Sequence, residues 1–67
     1  MKYDERHGGA WDRGSADSYY RRPPRPHYFV GDTYTSPEVT EENMTEEEIR
    51  AYHAGFEYNE QLGDFKY

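Results

Sequence analysis

Ala10-Trp11-Asp12-Arg13-Gly14-Ser15-Ala16-Asp17 and Ala51-Tyr52-His53-Ala54-Gly55-Phe56-Glu57-Tyr58 decide how this chain is read. Both stretches open on Ala, an aromatic residue, two free positions and Gly. Each lies in a segment that reads as helix. A large ring three residues before a glycine puts a knob and a flat spot on neighbouring parts of one helix face. Two such helices can pack closely, the ring of one over the glycine of the other. The expected fold is mainly α: a small two-helix (αα) hairpin, with Trp11, Gly14, Tyr52, Gly55 and Phe56 as its packing residues.

Working outward, residues 1–9 read as a flexible lead that ends in Gly8-Gly9. The first helix is expected over about Ala10 to Tyr20. Gly14 costs it roughly 1 kcal/mol relative to Ala, so a packing reason is expected there. Arg21-Arg22-Pro23-Pro24-Arg25-Pro26 ends that helix, because proline restricts the residue before it and cannot continue the hydrogen-bond ladder. His27-Tyr28-Phe29-Val30 is β-prone but too short to make a sheet alone, which predicts an extended aromatic strap. Gly31-Asp32 reads as a turn and 33–44 as polar loop. Thr45-Glu46-Glu47-Glu48 is a capping box that starts the second helix, with three glutamates suited to the positive end of its dipole. That helix is expected to run to about Gln61, with Gly63 as its stop. Ile49, Tyr52, Phe56 and Asn59 fall on one face; Tyr58 and Leu62 form a second seam with Ala51 and Gly55. The domain is thus read as 10–62, the tail as 63–67, and the ends as disordered. Trp11 and Phe56 are each expected to contribute roughly 2–3 kcal/mol by burial, so that Trp11→Ala would unfold the domain.

Composition sets the limits. Sixty-seven residues make one marginal domain. Cysteine is absent, which removes disulfides, thiolate nucleophiles and thiolate zinc ligands. The aliphatic core formers are Val30, Val39, Ile49 and Leu62, few enough to suggest disorder. Twelve aromatic residues, eight of them tyrosine, argue for a folded centre whose hydroxyls need partners. Residues 1–30 carry six basic and four acidic residues, and residues 31–67 carry two basic and ten acidic. The two halves can therefore attract each other or meet different partners. No apolar run has transmembrane length and no signal pattern follows Met1, which predicts a soluble cytoplasmic protein without a membrane partner.

Two charged constellations stand out. Tyr20, Arg21, Arg22, Arg25 and Tyr28, with Arg13, form a basic aromatic strap. Arginines can hold phosphates bidentately and tyrosines can stack on unpaired bases. The structural alternative is a proline-rich connector whose arginines pair with the acidic second helix. Opposite in sign are Glu46, Glu47, Glu57 and Glu60, within a wider set of carboxylates. On a small rigid body these can imitate a phosphate backbone and occupy a nucleic-acid-binding groove on another protein. Their structural alternative is a solvated helix face. His7, His27 and His53 lack metal-ligand spacing, Ser15 and Ser18 lack a base partner, and no glycine-rich phosphate loop occurs. No catalytic residue, metal or cofactor is expected.

On these residues the chain resembles two groups. Asp12-Arg13-Gly14-Ser15-Ala16-Asp17-Ser18-Tyr19-Tyr20 is similar to a phrase carried by small tailed-phage proteins. The layout resembles ribosome modulation factor, a two-helix family that binds the ribosome. Ala10, Arg13 and Gly14 match its Ala-x-x-Arg-Gly, Pro26-His27-Tyr28 loosely match its proline-aromatic stretch, and Tyr52, Gly55 and Phe56 match its aromatic-x-x-Gly-aromatic. That family is basic, whereas this chain is acidic, and the family's cysteine before the proline is missing here. The resemblance implies the αα hairpin more than the ribosomal role.

The expectation is a phage-encoded, non-enzymatic binding protein in the host bacterial cytoplasm. Its partner would be a host nucleic-acid-handling or defence protein, met through the acidic helix. The alternative is a ribosome-associated factor that holds ribosomal RNA with the arginine strap. Self-association into a homo-oligomer is a third reading.

Overall fold

The computed structural model describes residues 6–31 and 36–66. In chain order the elements are α1 (Ala10–Tyr19), β1 (His27–Phe29), β2 (Glu38–Thr40), a single 3₁₀ turn (Glu41–Asn43) and α2 (Glu46–Leu62). Expectations for residues 1–5, for Asp32 and 33–35, and for Tyr67 lie outside the described residues. The rest form a small, mainly helical domain.

α2 begins and ends as its sequence dictates. The Glu48 N–H donates to Thr45 Oγ1 at 3.1 Å, and the Thr45 N–H donates back to Glu48 Oε1 at 2.8 Å. Gly63 closes the helix in the left-handed region at φ 74°, its N–H donating to the Asn59 carbonyl. α1 has no side-chain cap at Gly9; instead the Gly8 N–H donates to Asp12 Oδ2 at 2.9 Å. Its C-terminus is a Schellman closure: the Arg21 N–H donates to the Ser18 carbonyl and the Arg22 N–H to the Asp17 carbonyl. Arg21 takes the left-handed position that glycine usually fills, at φ 61°.

The two glycines do set the helix packing, but what lies over them is backbone. A Cβ on Gly14 would overlap the Tyr52 carbonyl oxygen and stand 2.8 Å from its carbon. One on Gly55 would overlap the Trp11 carbonyl oxygen and stand 2.9 Å from its carbon. This corrects the ring-over-glycine expectation: at this separation no room for a ring exists, so each ring passes beside the crossing. Trp11 meets Tyr58, with ring centroids 5.2 Å apart. Tyr52 reaches Asp17, to which its hydroxyl donates a hydrogen bond. Beyond the crossing the Asn59 amide donates to Ser18 Oγ at 3.0 Å, and Ser18 donates to Glu60 Oε2 at 2.6 Å.

The aromatic strap is a strand rather than an unpaired cover. β1 pairs antiparallel with β2 in the register His27–Thr40, Tyr28–Val39, Phe29–Glu38. The partner strand lies in the stretch expected to be polar loop; Glu38-Val39-Thr40 is short, and only Val39 is apolar. The far edge of β1 is met by residues ahead of α1. The Phe29 N–H donates to the Gly8 carbonyl at 2.7 Å, and Arg6 Nη2 donates to the Phe29 carbonyl at 2.7 Å. Gly8 and Gly9 are buried, whereas Arg6 and His7 are exposed. The Lys66 N–H likewise donates to the Tyr19 carbonyl at 2.7 Å, bringing the tail back to the end of α1.

The apolar core is Phe29, Ala51 and Tyr52. Trp11 and Phe56, expected at its centre, are only half-buried. Tyr52 holds that place, with no exposed surface, because both the sheet and α1 close on its ring.

Candidate interaction surfaces

Around Tyr52 the buried polar groups form one connected set. Its hydroxyl donates to Asp17 Oδ2 and accepts from the Arg25 N–H at 2.9 Å. His27 Nδ1 lies 2.8 Å from the Arg25 carbonyl and 3.8 Å from Asp17 Oδ2. Arg13 Nε donates to His27 Nε2 at 3.4 Å. One ring nitrogen thus faces acceptors and the other a donor, which fits the Nδ1–H tautomer. Arg22 Nη1 completes the Asp17 carboxylate at 3.3 Å. Burial, then the hydrogen bond to Asp17, push the Tyr52 phenol well above its usual range, because an added negative charge beside a buried carboxylate would be poorly solvated.

The basic aromatic strap is not displayed as one surface. Arg13 is buried, with its guanidinium 5.7 Å from the centre of the Phe29 ring. Arg22 pairs with Asp17 and lies over the Tyr20 ring at 4.9 Å. Arg25 pairs with Glu38 at 3.2 Å. The arginines of the connector therefore pair with Asp17 of α1 and Glu38 of β2; the expectation that they pair with the second helix is corrected. Arg21 turns to the tail and stacks over Phe65 at 5.1 Å. Tyr20 is exposed, edge-on to Tyr19. Tyr28 is half-buried, and partial burial together with the Glu48 carboxylate raises its phenol above the ordinary value. Arg13, Arg22 and Arg25 do line one concavity of about 500 Å³, but Asp17 and Glu38 line it with them.

The acidic set stands differently. Glu46, Glu47, Glu57 and Glu60 are all exposed on α2. Glu57 accepts from the Gln61 amide at 3.3 Å and Glu60 from Ser18. Glu46 and Glu57 are three helical turns apart and so lie on one line. Arg50 interrupts that line four residues after Glu46, a feature the carboxylate count passes over.

Tyr58 and Leu62, expected to form a seam with Ala51 and Gly55, are instead exposed, and Tyr58 makes a contact with Trp11 that sequence reasoning passed over. Tyr58 is 53% and Leu62 60% exposed, one helical turn apart. The signal for it was the repeat itself: what stands three residues after one glycine meets the ring three residues before the other.

Ser18 Oγ is engaged by Asn59 and Glu60, and among the described residues no group of three or more His, Asp or Glu side chains could hold a metal ion. No helix of the described residues is long and apolar enough to cross a membrane. Comparison with protein-family models, with curated proteins and with solved structures finds no match for this chain.

Proposed function

We propose that this chain is a small acidic binding protein, without catalysis, that inhibits or modulates a nucleic-acid-handling or defence protein of a bacterial host by stoichiometric contact. The observation that carries the reading is the unequal use of charge. Arg13 is buried against His27, and the exposed Arg22 and Arg25 are each paired with a carboxylate, Asp17 and Glu38. Glu46, Glu47 and Glu57 stay on the outer side of α2, where a partner can reach them. A phosphate-binding surface needs guanidiniums aimed outward; a phosphate-mimicking surface needs carboxylates held by a rigid helix. The exposed carboxylates of α2, and the carboxylate partners already held by Arg22 and Arg25, support the second reading. Phage origin rests on the resemblance of residues 12–20 alone.

The test is affinity capture from a bacterial lysate with the wild-type chain and with a variant reversing Glu46, Glu47, Glu57 and Glu60 to Lys. Glu48 is left in place because it belongs to the capping box. A melting curve reports whether the variant folds, since Glu60 also bonds Ser18. The expected result is a nucleic-acid-binding protein retained by the wild type, displaced by added duplex DNA, and lost with the folded variant. Retention unchanged by the reversal removes the proposal. Co-sedimentation with ribosomal particles that weakens as salt rises, and is lost with Arg21→Ala and Arg22→Ala, would install the RNA-binding alternative.

A further inference from the structure

β1 has β2 on one side, and on the other side its edge is occupied by the chain's own residues 6–9. In an antiparallel ladder a residue exchanges both its N–H and its C=O with one neighbour or turns both away. Phe29 turns both away from β2. Its N–H donates to the Gly8 carbonyl at 2.7 Å, and its carbonyl accepts from Arg6 Nη2 at 2.7 Å. The donor and the acceptor by which β1 could take a further strand are thus filled from within the chain.

Residues 6–9 are held to α1 rather than to a strand of their own. The Gly9 N–H donates to the Arg6 carbonyl at 3.0 Å and closes a turn. Gly8 lies in the left-handed region at φ 88°, and its N–H donates to Asp12 Oδ2 at 2.9 Å. The Arg13 N–H donates to the Gly9 carbonyl at 2.9 Å. Glycine loses more backbone freedom on ordering than any other residue, and two stand here in succession. Arg6 and His7 are exposed. Opening this clip therefore returns backbone entropy, while β1 stays fixed by β2 and by the burial of Phe29.

We infer that residues 6–9 are a detachable guard on the edge of β1: closed, they keep the chain a monomer; open, they release β1 to pair with β1 of a second copy. A bare strand edge is a template for pairing, and proteins block such edges. The occupant follows from the groups released. An N–H and a C=O of one residue, turned out from one edge, form the hydrogen-bonded type of antiparallel pair. That set complements itself about a two-fold axis. His27-Tyr28-Phe29 carries no carboxylate, ammonium or guanidinium group, and its one imidazole is buried, so two copies meet without like charges across the pair. The inference does not rest on the acidic binding reading, because no residue of α2 takes part.

Amide hydrogen exchange of the full chain tests the opening without any substitution. The Phe29 N–H should exchange at a rate that low urea hardly changes, since a local opening exposes little surface. The amides of α2 at the helix crossing should instead follow the urea dependence of global unfolding. A Phe29 amide that shares that dependence overturns the inference, because the clip then opens only with the whole fold. Sedimentation equilibrium up to millimolar chain tests the consequence. Arg6→Ala with Asp12→Ala should exchange the Phe29 amide about tenfold faster or more at low concentration. The same variant should self-associate about tenfold more tightly or more than the wild type. Asp12→Asn alone keeps an acceptor for the Gly8 N–H and should behave as the wild type. A melting curve reports whether the double variant folds; if it does not, the urea dependence of the wild type decides. A folded double variant that exchanges Phe29 quickly and stays monomeric overturns the inference. So does a wild type that self-associates as tightly as the double variant.

Discussion

The carbonyl of Tyr52 fills the space that a side chain on Gly14 would occupy. The same holds for Trp11 over Gly55. A carbonyl cannot swing aside as a side-chain tip can, so a methyl group at either position drives the helices apart. Gly14→Ala and Gly55→Ala should each cost about 3 kcal/mol or more, enough to unfold a domain of this size. Gly63→Ala is the control: a Cβ there meets open space, and only the left-handed backbone is strained, for about 1 kcal/mol. Thermal melts of the three variants check the ranking; a folded Gly14→Ala chain of near-native stability would contradict the packing described.

Asp17 and Tyr52 are the polar centre of the same crossing. Asp17→Ala leaves the Tyr52 hydroxyl without its acceptor in a buried site and should cost about 3 kcal/mol. Tyr52→Phe removes the acceptor of the Arg25 N–H as well and should cost about 1–2 kcal/mol. The double variant should cost less than the sum, with a coupling of about 1 kcal/mol or more. Urea denaturation of the four chains measures it, and strict additivity would mean the pair is not coupled.

Tyr52 also sets an alkaline limit. Its phenol is raised above the value of about 10 that the unfolded chain shows. The unfolded state therefore loses its proton first, and stability falls as pH rises. The contribution is fully present below about pH 10 and declines above it at up to about 1.4 kcal/mol per pH unit. Tyr28 adds a smaller share in the same direction. Denaturation midpoints followed from neutral to alkaline pH should show the decline in the wild type and a shallower one in Tyr52→Phe. Equal slopes would remove the linkage.

How much of this was legible in the sequence depended on how local the signal was. Thr45 and Glu48 declare a helix start within four residues, and the structure has it there. Gly63 declares the stop in the same way. The repeated Ala-aromatic-x-x-Gly phrase gave the helix crossing, but a one-dimensional pattern does not say whether ring or backbone lies on a glycine; the separation of the helices decides that. β2 was not legible because Glu38-Val39-Thr40 is short, has one apolar residue, and is a strand only through its pairing with β1. The arginine partners were misassigned as well. Net charge favoured α2, whereas the chain path puts Asp17 and Glu38 within reach.

Arg21 offers a separate check, because its backbone and its side chain act in opposite senses. The Schellman closure requires a left-handed residue, and an arginine at φ 61° bears a cost of about 1 kcal/mol that glycine does not. Its guanidinium recovers about 0.5 kcal/mol by stacking over Phe65. Arg21→Gly alone should therefore raise stability only slightly. In a Phe65→Ala background the stacking is already gone, and the same substitution should yield the full gain of about 1 kcal/mol. Chemical denaturation of the two pairs distinguishes this from a residue kept for its charge, for which Arg21→Gly would change stability equally in both backgrounds.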